Sequence, residues 1–258
     1  MSFKNVLQAV QPGMTLIVHA SFRPCKEEGL TPEDVIHALQ EKLTPEGTLL
    51  VPTFSYCYIN HPRKAVYDKD LTPGVQNGVI SETLRTMPDV IRSSNPTYSV
   101  AVWGKHKELL TSGSADNAGL GYNSSYENAL KLGAKILLLN VGNNRNSMLH
   151  YAEIASEVPY NDIPFRESWG RTAATKDGEM ILVEAFPACS ENFSKFDDLF
   201  VREGIASDLK GSYLMDAQKM VSRTCELIRE QPDIMLCDAQ DCECCVRRRA
   251  RLKEKGLI

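Results

Sequence analysis

The feature that most constrains the fold is a continuous apolar run at residues 134–141, interrupted only by Lys135 and Asn140. Such a run is typical of a strand buried on both faces of a parallel sheet. It leads into a polar loop at residues 142–145. Asn146 or Ser147 can then cap a helix that ends at Val158 and Pro159. We therefore expect a buried strand, a loop and a helix in direct succession.

Strands and helices alternate along most of the chain. Thr31, with Pro32 and Asp34 after it, predicts a capped helix start. The other predicted elements are strands at 14–18, 49–51 and 99–103, helices at 75–87 and around Val221, Cys225 and Ile228, and a hairpin at 176–178. This alternation indicates an α/β layer structure, with ligands expected beyond the carboxyl ends of its parallel strands.

Composition places the chain among ordinary globular proteins. Hydrophobic residues make up 43% and charged residues 24% of its 258 residues, with a net charge of −4. This charge predicts no general attraction to nucleic acid or membrane, although four arginines cluster at 247–251. Without a long apolar window or a secretory signal we expect a cytoplasmic protein. Residues 1–258 would form one domain, with 232–258 as a Cys-rich appendage.

His150 is the first candidate for chemistry, because it falls in the first turn of the helix after the buried strand. The positive end of the helix dipole disfavours a charged imidazole there, and a neutral histidine can accept a proton. Glu153 lies three residues on, on the same face, where it can orient the ring. The alternative is that His150 is structural, as most histidines near a helix start are.

Four of the eight cysteines crowd between Cys237 and Cys245. Cys237, Cys242 and Cys245 have a spacing that can bring their thiolates onto one tetrahedral zinc ion. Cys189 is the candidate fourth ligand, and Cys244 competes with it. A site of four thiolates would be structural, since it leaves no position open for water. The alternative is a set of reduced cysteines in a Cys-rich tail.

Several segments, taken together, resemble the aminoglycoside 3-N-acetyltransferase family. They are His19, Ala20 and Ser21 with Gly29; residues 46–54; Gly78 with Glu82 and Arg85; Arg92 and Ser93 with Pro96 and Ser99; Ser124 with Glu127; and residues 149–153 with 158–160. Each segment alone is weak, but their shared order from near residue 12 to near residue 250 is specific.

The resemblance implies a three-layer α/β/α sandwich with a mostly parallel central sheet and a small Cys-rich C-terminal segment. It also implies acetyl-CoA as donor, an amine acceptor on an aminoglycoside or related amino sugar, and His150 as general base with Glu153 beside it. The residues expected at the donor are His19, Ser21, Arg92, Ser93 and Ser99. Two departures from the family pattern, Ala20 for a serine and Asn95 for a histidine, lie near the expected cleft.

Purely structural roles are the alternative for the donor residues as well. Ser21 could simply cap a strand end, and Arg92 and Ser93 could form a surface turn before Pro96. Cys25 and Cys57 are interpreted as bystanders, with Cys57 near the cleft, since neither has the neighbours that activate a thiol.

Two other functions remain open at this stage. One is a zinc-stapled nucleic-acid-binding module built on the cysteines and the basic cluster, which lacks aromatic residues for stacking on bases. The other is an acyl hydrolase that uses Ser21, His150 and Glu153, although the Gly-x-Ser-x-Gly turn is absent. We favour a small-molecule enzyme that binds neither nucleic acid nor membrane and can form a homodimer. The basic tail is expected to pack as a surface helix, and the alternative is that it covers the CoA phosphates.

Overall fold

The computed structural model of the protein describes residues 2–55, 66–113, 119–165, 172–182 and 189–258. Within these ranges the chain forms a seven-stranded sheet in the order β4-β5-β2-β1-β6-β10-β9. Its strands are β1 (Thr15–Ala20), β2 (Thr48–Pro52), β4 (Ile91–Arg92), β5 (Val100–Gly104), β6 (Lys135–Leu139), β9 (Ala206–Asp208) and β10 (Tyr213–Asp216).

The predicted buried strand is β6, which lies beside the central strand β1. β6 pairs with β1 in parallel and with β10 in antiparallel register, and Ile136, Leu137 and Leu138 have no exposed surface. β1 also pairs in parallel with β2. Parallel pairing is confined to these three central strands, because β5, β4, β10 and β9 join the edges in antiparallel pairs.

Helices cover both faces of the sheet and complete the predicted three-layer sandwich. The helices are α1 (Phe3–Ala9), α2 (Arg23–Glu27), α3 (Pro32–Leu43), α4 (Val79–Thr86), α5 (Lys107–Thr111), α6 (Ser125–Lys131), α7 (Ser147–Ala155), α8 (Phe196–Arg202), α9 (Ala217–Glu230) and α10 (Glu243–Glu254). One core contains side chains of α1, α3 and α4, and the other contains those of α6, α7, α8 and α9. Thr31 and Asp34 form the predicted capping box of α3.

A second, smaller sheet carries the predicted hairpin. β7 (Thr172–Thr175) and β8 (Met180–Leu182) are antiparallel, and β3 (Val66–Tyr67) pairs with β7. The turn at residues 176–179 contains Gly178 at φ 82°, which is left-handed backbone that glycine adopts at little cost. The hairpin is therefore confirmed.

The Cys-rich C-terminal segment is part of the main core. Met235, Leu236 and Leu252 are buried in the same cluster as the helices on that face. The basic cluster does form a helix, α10, but the expected surface position is wrong for Arg248, whose side chain is 0% exposed. Its guanidinium lies over the ring of Tyr160, which explains how a charged side chain is accommodated inside the protein. No helix in the described ranges is long and apolar enough to cross a membrane.

Candidate active site

The carboxyl ends of β1 and β6 meet at one edge of the sheet. The Ser21 backbone amide donates to Leu139 O at 2.9 Å, and Asn140 Nδ2 donates to Ser21 O at 3.3 Å. α4 begins at the same edge, since a Cβ on its N-cap Gly78 (φ 83°) would lie 3.4 Å from Ala20 O. This edge is where an α/β sheet of this kind exposes its loops to ligands.

α7, the next α-helix after β6 along the chain, carries the predicted base. Asn146 caps the helix by accepting a hydrogen bond from the Met148 amide. His150 Nδ1 lies 2.8 Å from Glu153 Oε2, one helical turn further on. A carboxylate accepts at that distance, so Nδ1 is the donor of this contact, and in a neutral imidazole Nε2 is then the atom that can accept a proton.

The His150–Glu153 pair is enclosed by three other side chains. Its own side chain is only 2% exposed, and Tyr160 Oη donates to Oε1 at 3.3 Å. Arg248 Nη1 lies 4.0 Å from the same oxygen. The Phe193 ring packs against the His150 ring with centroids 4.9 Å apart. Burial, with Glu153 as the next cause, raises the pKa of Tyr160 well above its usual range, so Tyr160 is a neutral donor to the carboxylate.

His19 lies on β1, two residues before Ser21, and is 5% exposed. Its Nε2 has no hydrogen-bond partner in the part of the chain that the structure describes. Burial lowers the pKa of His19 to about 4, because the charged imidazolium would lose its hydration. His19 is therefore neutral at physiological pH.

This neutral His19 has a consequence for stability. Between about pH 4 and 6.5 the unfolded chain binds a proton at this position and the folded chain does not, so acid destabilises the fold. From about pH 7 to about pH 4.5 the wild type should lose about 2.5 kcal/mol more than His19→Gln. Urea unfolding at both pH values measures the difference, and equal losses in the two proteins would contradict it.

Arg92, Ser93 and Ser99 are also brought together, but inside the protein. Arg92 Nε donates to Thr53 Oγ1 at 3.1 Å and to Ser99 Oγ at 3.0 Å, and Nη2 donates to Thr53 O at 2.6 Å. The other guanidinium nitrogen donates to the backbone oxygens of residues 69 and 72. Ser93 Oγ accepts from the Val100 amide. These bonds favour a structural role, and contact with CoA stays a prediction.

The four predicted zinc ligands converge. The Sγ atoms of Cys189, Cys237, Cys242 and Cys245 all lie within 4.8 Å of one another, and we call this group the four-cysteine cluster. Cys244 is outside it. A hydrogen bond from the Cys245 thiol, as the largest cause, lowers the pKa of Cys189 to about 5. The other described cysteines, Cys25 and Cys225, are buried free thiols elsewhere, and Cys57 lies outside the described residues.

Comparison with known proteins decides the family. The model of the aminoglycoside 3-N-acetyltransferase family matches residues 17–229. The chain belongs to this family. It is thus an acyltransferase, and the resemblance drawn from the sequence is confirmed. Aminoglycoside N(3)-acetyltransferase IV of Salmonella sp. is 30% identical over 190 residues, which are 73% of this chain and 69% of the relative.

Solved structures of this acetyltransferase family share the fold. The apoenzyme of aminoglycoside acetyltransferase AAC(3)-IVa is 27% identical with a TM-score of 0.82, over 96% of this chain and 95% of that one. AAC-IIIb in a binary structure with CoASH is 23% identical with a TM-score of 0.71, over 86% and 92% of the two chains.

Sequence reasoning did not find the residues that enclose the His150–Glu153 pair. Tyr160 was noted only within a family segment, and Phe193 and Arg248 were given no role in the site. The sequence signal nearest to Arg248 was the basic cluster at residues 247–251, which was expected at the surface. Only the fold shows that Arg248 points inward.

Proposed function

We propose that the protein transfers an acetyl group from acetyl-CoA to a primary amine of an aminoglycoside or a related amino sugar, with His150 as general base. The observation that carries this proposal is the buried His150–Glu153 pair on α7, the α-helix that follows β6 along the chain. A neutral imidazole oriented by a carboxylate is suited to removing a proton from an attacking nucleophile.

The proposed reaction proceeds through a tetrahedral intermediate. The amine nitrogen attacks the thioester carbonyl carbon while His150 Nε2 takes the proton that the nitrogen must lose. The carbon–sulfur bond then breaks, and the proton on His150 neutralises the departing thiolate of CoA. Ser21, at the end of β1, is proposed to hold the carbonyl oxygen as negative charge develops on it, because a hydroxyl donor there stabilises an oxyanion.

The named relatives support both substrates. The Salmonella relative is named for N(3)-acetylation of aminoglycosides, and the AAC-IIIb structure contains CoASH. The buried His19 lies on β1, two residues before Ser21, and is proposed to line the donor site. Acetylation of this kind by a cytoplasmic enzyme would protect a cell from an aminoglycoside antibiotic.

We also propose that the four-cysteine cluster holds one structural zinc ion. Zinc–sulfur bonds of about 2.3 Å place tetrahedral ligands about 3.8 Å apart, which a cluster within 4.8 Å reaches by small side-chain rotations. Four thiolates saturate the ion, so it would supply stability and no chemistry. The cluster joins Cys189, before α8, to the segment that leads into α10.

The contacts of α10 weaken the nucleic-acid alternative. Arg249 pairs with Asp233 and Asp238, and Arg251 pairs with Asp162. With Arg248 buried, most of the basic cluster is committed to contacts within the protein. These contacts favour the acetyltransferase.

A thiol-release assay with acetyl-CoA and a panel of aminoglycosides and amino sugars tests the proposal. We expect CoA release that depends on the amine, and a product heavier by one acetyl group in mass spectrometry. CoA release at the same rate without any amine would support the hydrolase alternative. The absence of acetyl-CoA binding in calorimetry would contradict the transferase proposal, whichever acceptor is used.

A further inference from the structure

The C-terminal helix α10 reaches the proposed catalytic pair from the four-cysteine cluster. Cys245, a member of the cluster, lies in the first turn of α10, and Arg248 follows three residues later. Arg248 is fully buried and donates from Nη2 to Ile163 O at 2.7 Å. Its position is therefore fixed at both ends, by the cluster and by the loop after α7.

The guanidinium of Arg248 faces Glu153 and Tyr160. Nη1 is 4.0 Å from Glu153 Oε1, and the guanidinium carbon is 5.1 Å from the centre of the Tyr160 ring. Tyr160 in turn donates to the same Glu153 oxygen that Arg248 approaches. Oε1 thus accepts a hydrogen bond from Tyr160 and has the Arg248 cation 4.0 Å away, and Oε2 is left for His150.

The four-cysteine cluster also lies close in sequence to a residue that packs against His150. Cys189 precedes the short helix at Glu191–Lys195, which carries Phe193. Phe193 is 0% exposed, and its ring packs against the imidazole of His150. Both walls of the His150–Glu153 pair therefore lie within four residues of a cluster cysteine.

We propose that Arg248 is a positioning residue for the general base, held against Glu153 by the four-cysteine cluster. This inference rests on the proposed function of His150. In the proposed reaction Arg248 touches no reacting atom, and it acts through Glu153. The cation allows Glu153 to remain a carboxylate inside the protein while His150 stays neutral, because an isolated buried carboxylate is costly.

Removal of this cation would change the proton balance of the pair. The groups that face Glu153 are His150, Tyr160, Arg248 and the Cys244 thiol. Without Arg248 the buried negative charge is uncompensated, and the pair takes up a proton, either on His150 or on Glu153. Both outcomes leave less of the form that can deprotonate an amine.

Arg248→Met and Arg248→Lys test this role, with Arg247→Met as the matched control. Arg247 is the preceding residue of α10, donates to Pro164 O, next to the acceptor of Arg248, and pairs with Glu243. For Arg248→Met we expect kcat at neutral pH to fall at least tenfold with an unchanged KM for acetyl-CoA. The acid limb of the kcat profile should move up by about one pH unit, as for a charge about 4–6 Å away. Arg248→Lys should recover part of the loss, and Arg247→Met should resemble wild type.

A spectroscopic readout separates positioning from folding. Histidine-selective ¹⁵N spectra, assigned with His150→Ala, report the protonation and tautomer of His150 without turnover. We expect the His150 signals to change in Arg248→Met. They should also change in Tyr160→Phe, in which the side chain keeps nearly the wild-type shape. Unchanged signals and a wild-type kcat in Arg248→Met would overturn the inference, whereas full turnover in His150→Ala would instead overturn the proposed function on which it rests.

Discussion

His150→Ala is expected to lower kcat by about 10²–10⁴-fold, the range that general base catalysis contributes. Among the described residues of α7, His150 is the only one whose side chain contacts Glu153 and can accept a proton. Acetyl-CoA binding should survive, because His150 Nε2 is proposed to meet the amine and not the nucleotide part of CoA. Steady-state kinetics with a productive acceptor and calorimetry with acetyl-CoA measure the two effects.

Two variants make this test specific. Glu153→Gln removes the charge that orients His150 and keeps the side-chain shape, so kcat should fall by less than in His150→Ala. His106→Ala changes a histidine that lies at the start of α5, away from the pair, and should leave kcat unchanged. If His150→Ala retained kcat within about threefold of wild type, less than the smallest effect typical of such a base, another residue would have to be the base.

The core of the fold and the His150–Glu153 pair were predictable from the sequence because both depend on local patterns. The apolar run at 134–141 contains β6, and a capping residue after the loop sets the start of α7 at Ser147. Once α7 is a helix, residues 150 and 153 must share a face. Strand, helix and pair therefore follow from spacing within about twenty residues.

The surroundings of the pair were not predictable in this way. Arg248 lies 95 positions from Glu153 along the chain, and no periodicity relates them. Its burial depends on how α10 docks, which in turn depends on Tyr160 and the loop at Ile163. For the same reason the antiparallel edges of the sheet escaped prediction, since short strands such as β4 and β9 are defined by their partners.

The donor-site prediction shows a different limit. Arg92 was expected at the donor because of the family resemblance, and a guanidinium is suited to binding phosphate. The structure places it at 5% exposure, with hydrogen bonds to Thr53 and Ser99. A sequence records that an arginine is present, but whether its donors are already occupied depends on the segments folded around it.

The second large effect is expected on stability, at the four-cysteine cluster. Its cysteines lie up to 56 positions apart along the chain, so a bound zinc ion would join distant segments. We expect the purified protein to contain one equivalent of zinc and Cys245→Ser to contain less. Structural zinc sites contribute about 10–16 kcal/mol in small peptides. Loss of even a third of that, about 4 kcal/mol, would lower the Tm of a chain of this size by roughly 8–16 °C.

Cys25→Ser is the matched control, because Cys25 is a buried free thiol on the other side of the sheet and outside the cluster. Cys25→Ser should keep the full zinc content, and its Tm should be only slightly lower than that of the wild type. Metal analysis and thermal unfolding of both variants, with and without a chelator, provide the comparison. A zinc-free wild type, with Cys245→Ser no less stable than Cys25→Ser, would mean that the cluster is a set of reduced thiols. If zinc is present, its removal should also lower kcat, since Arg248 and Phe193 would lose the anchor that holds them against His150 and Glu153.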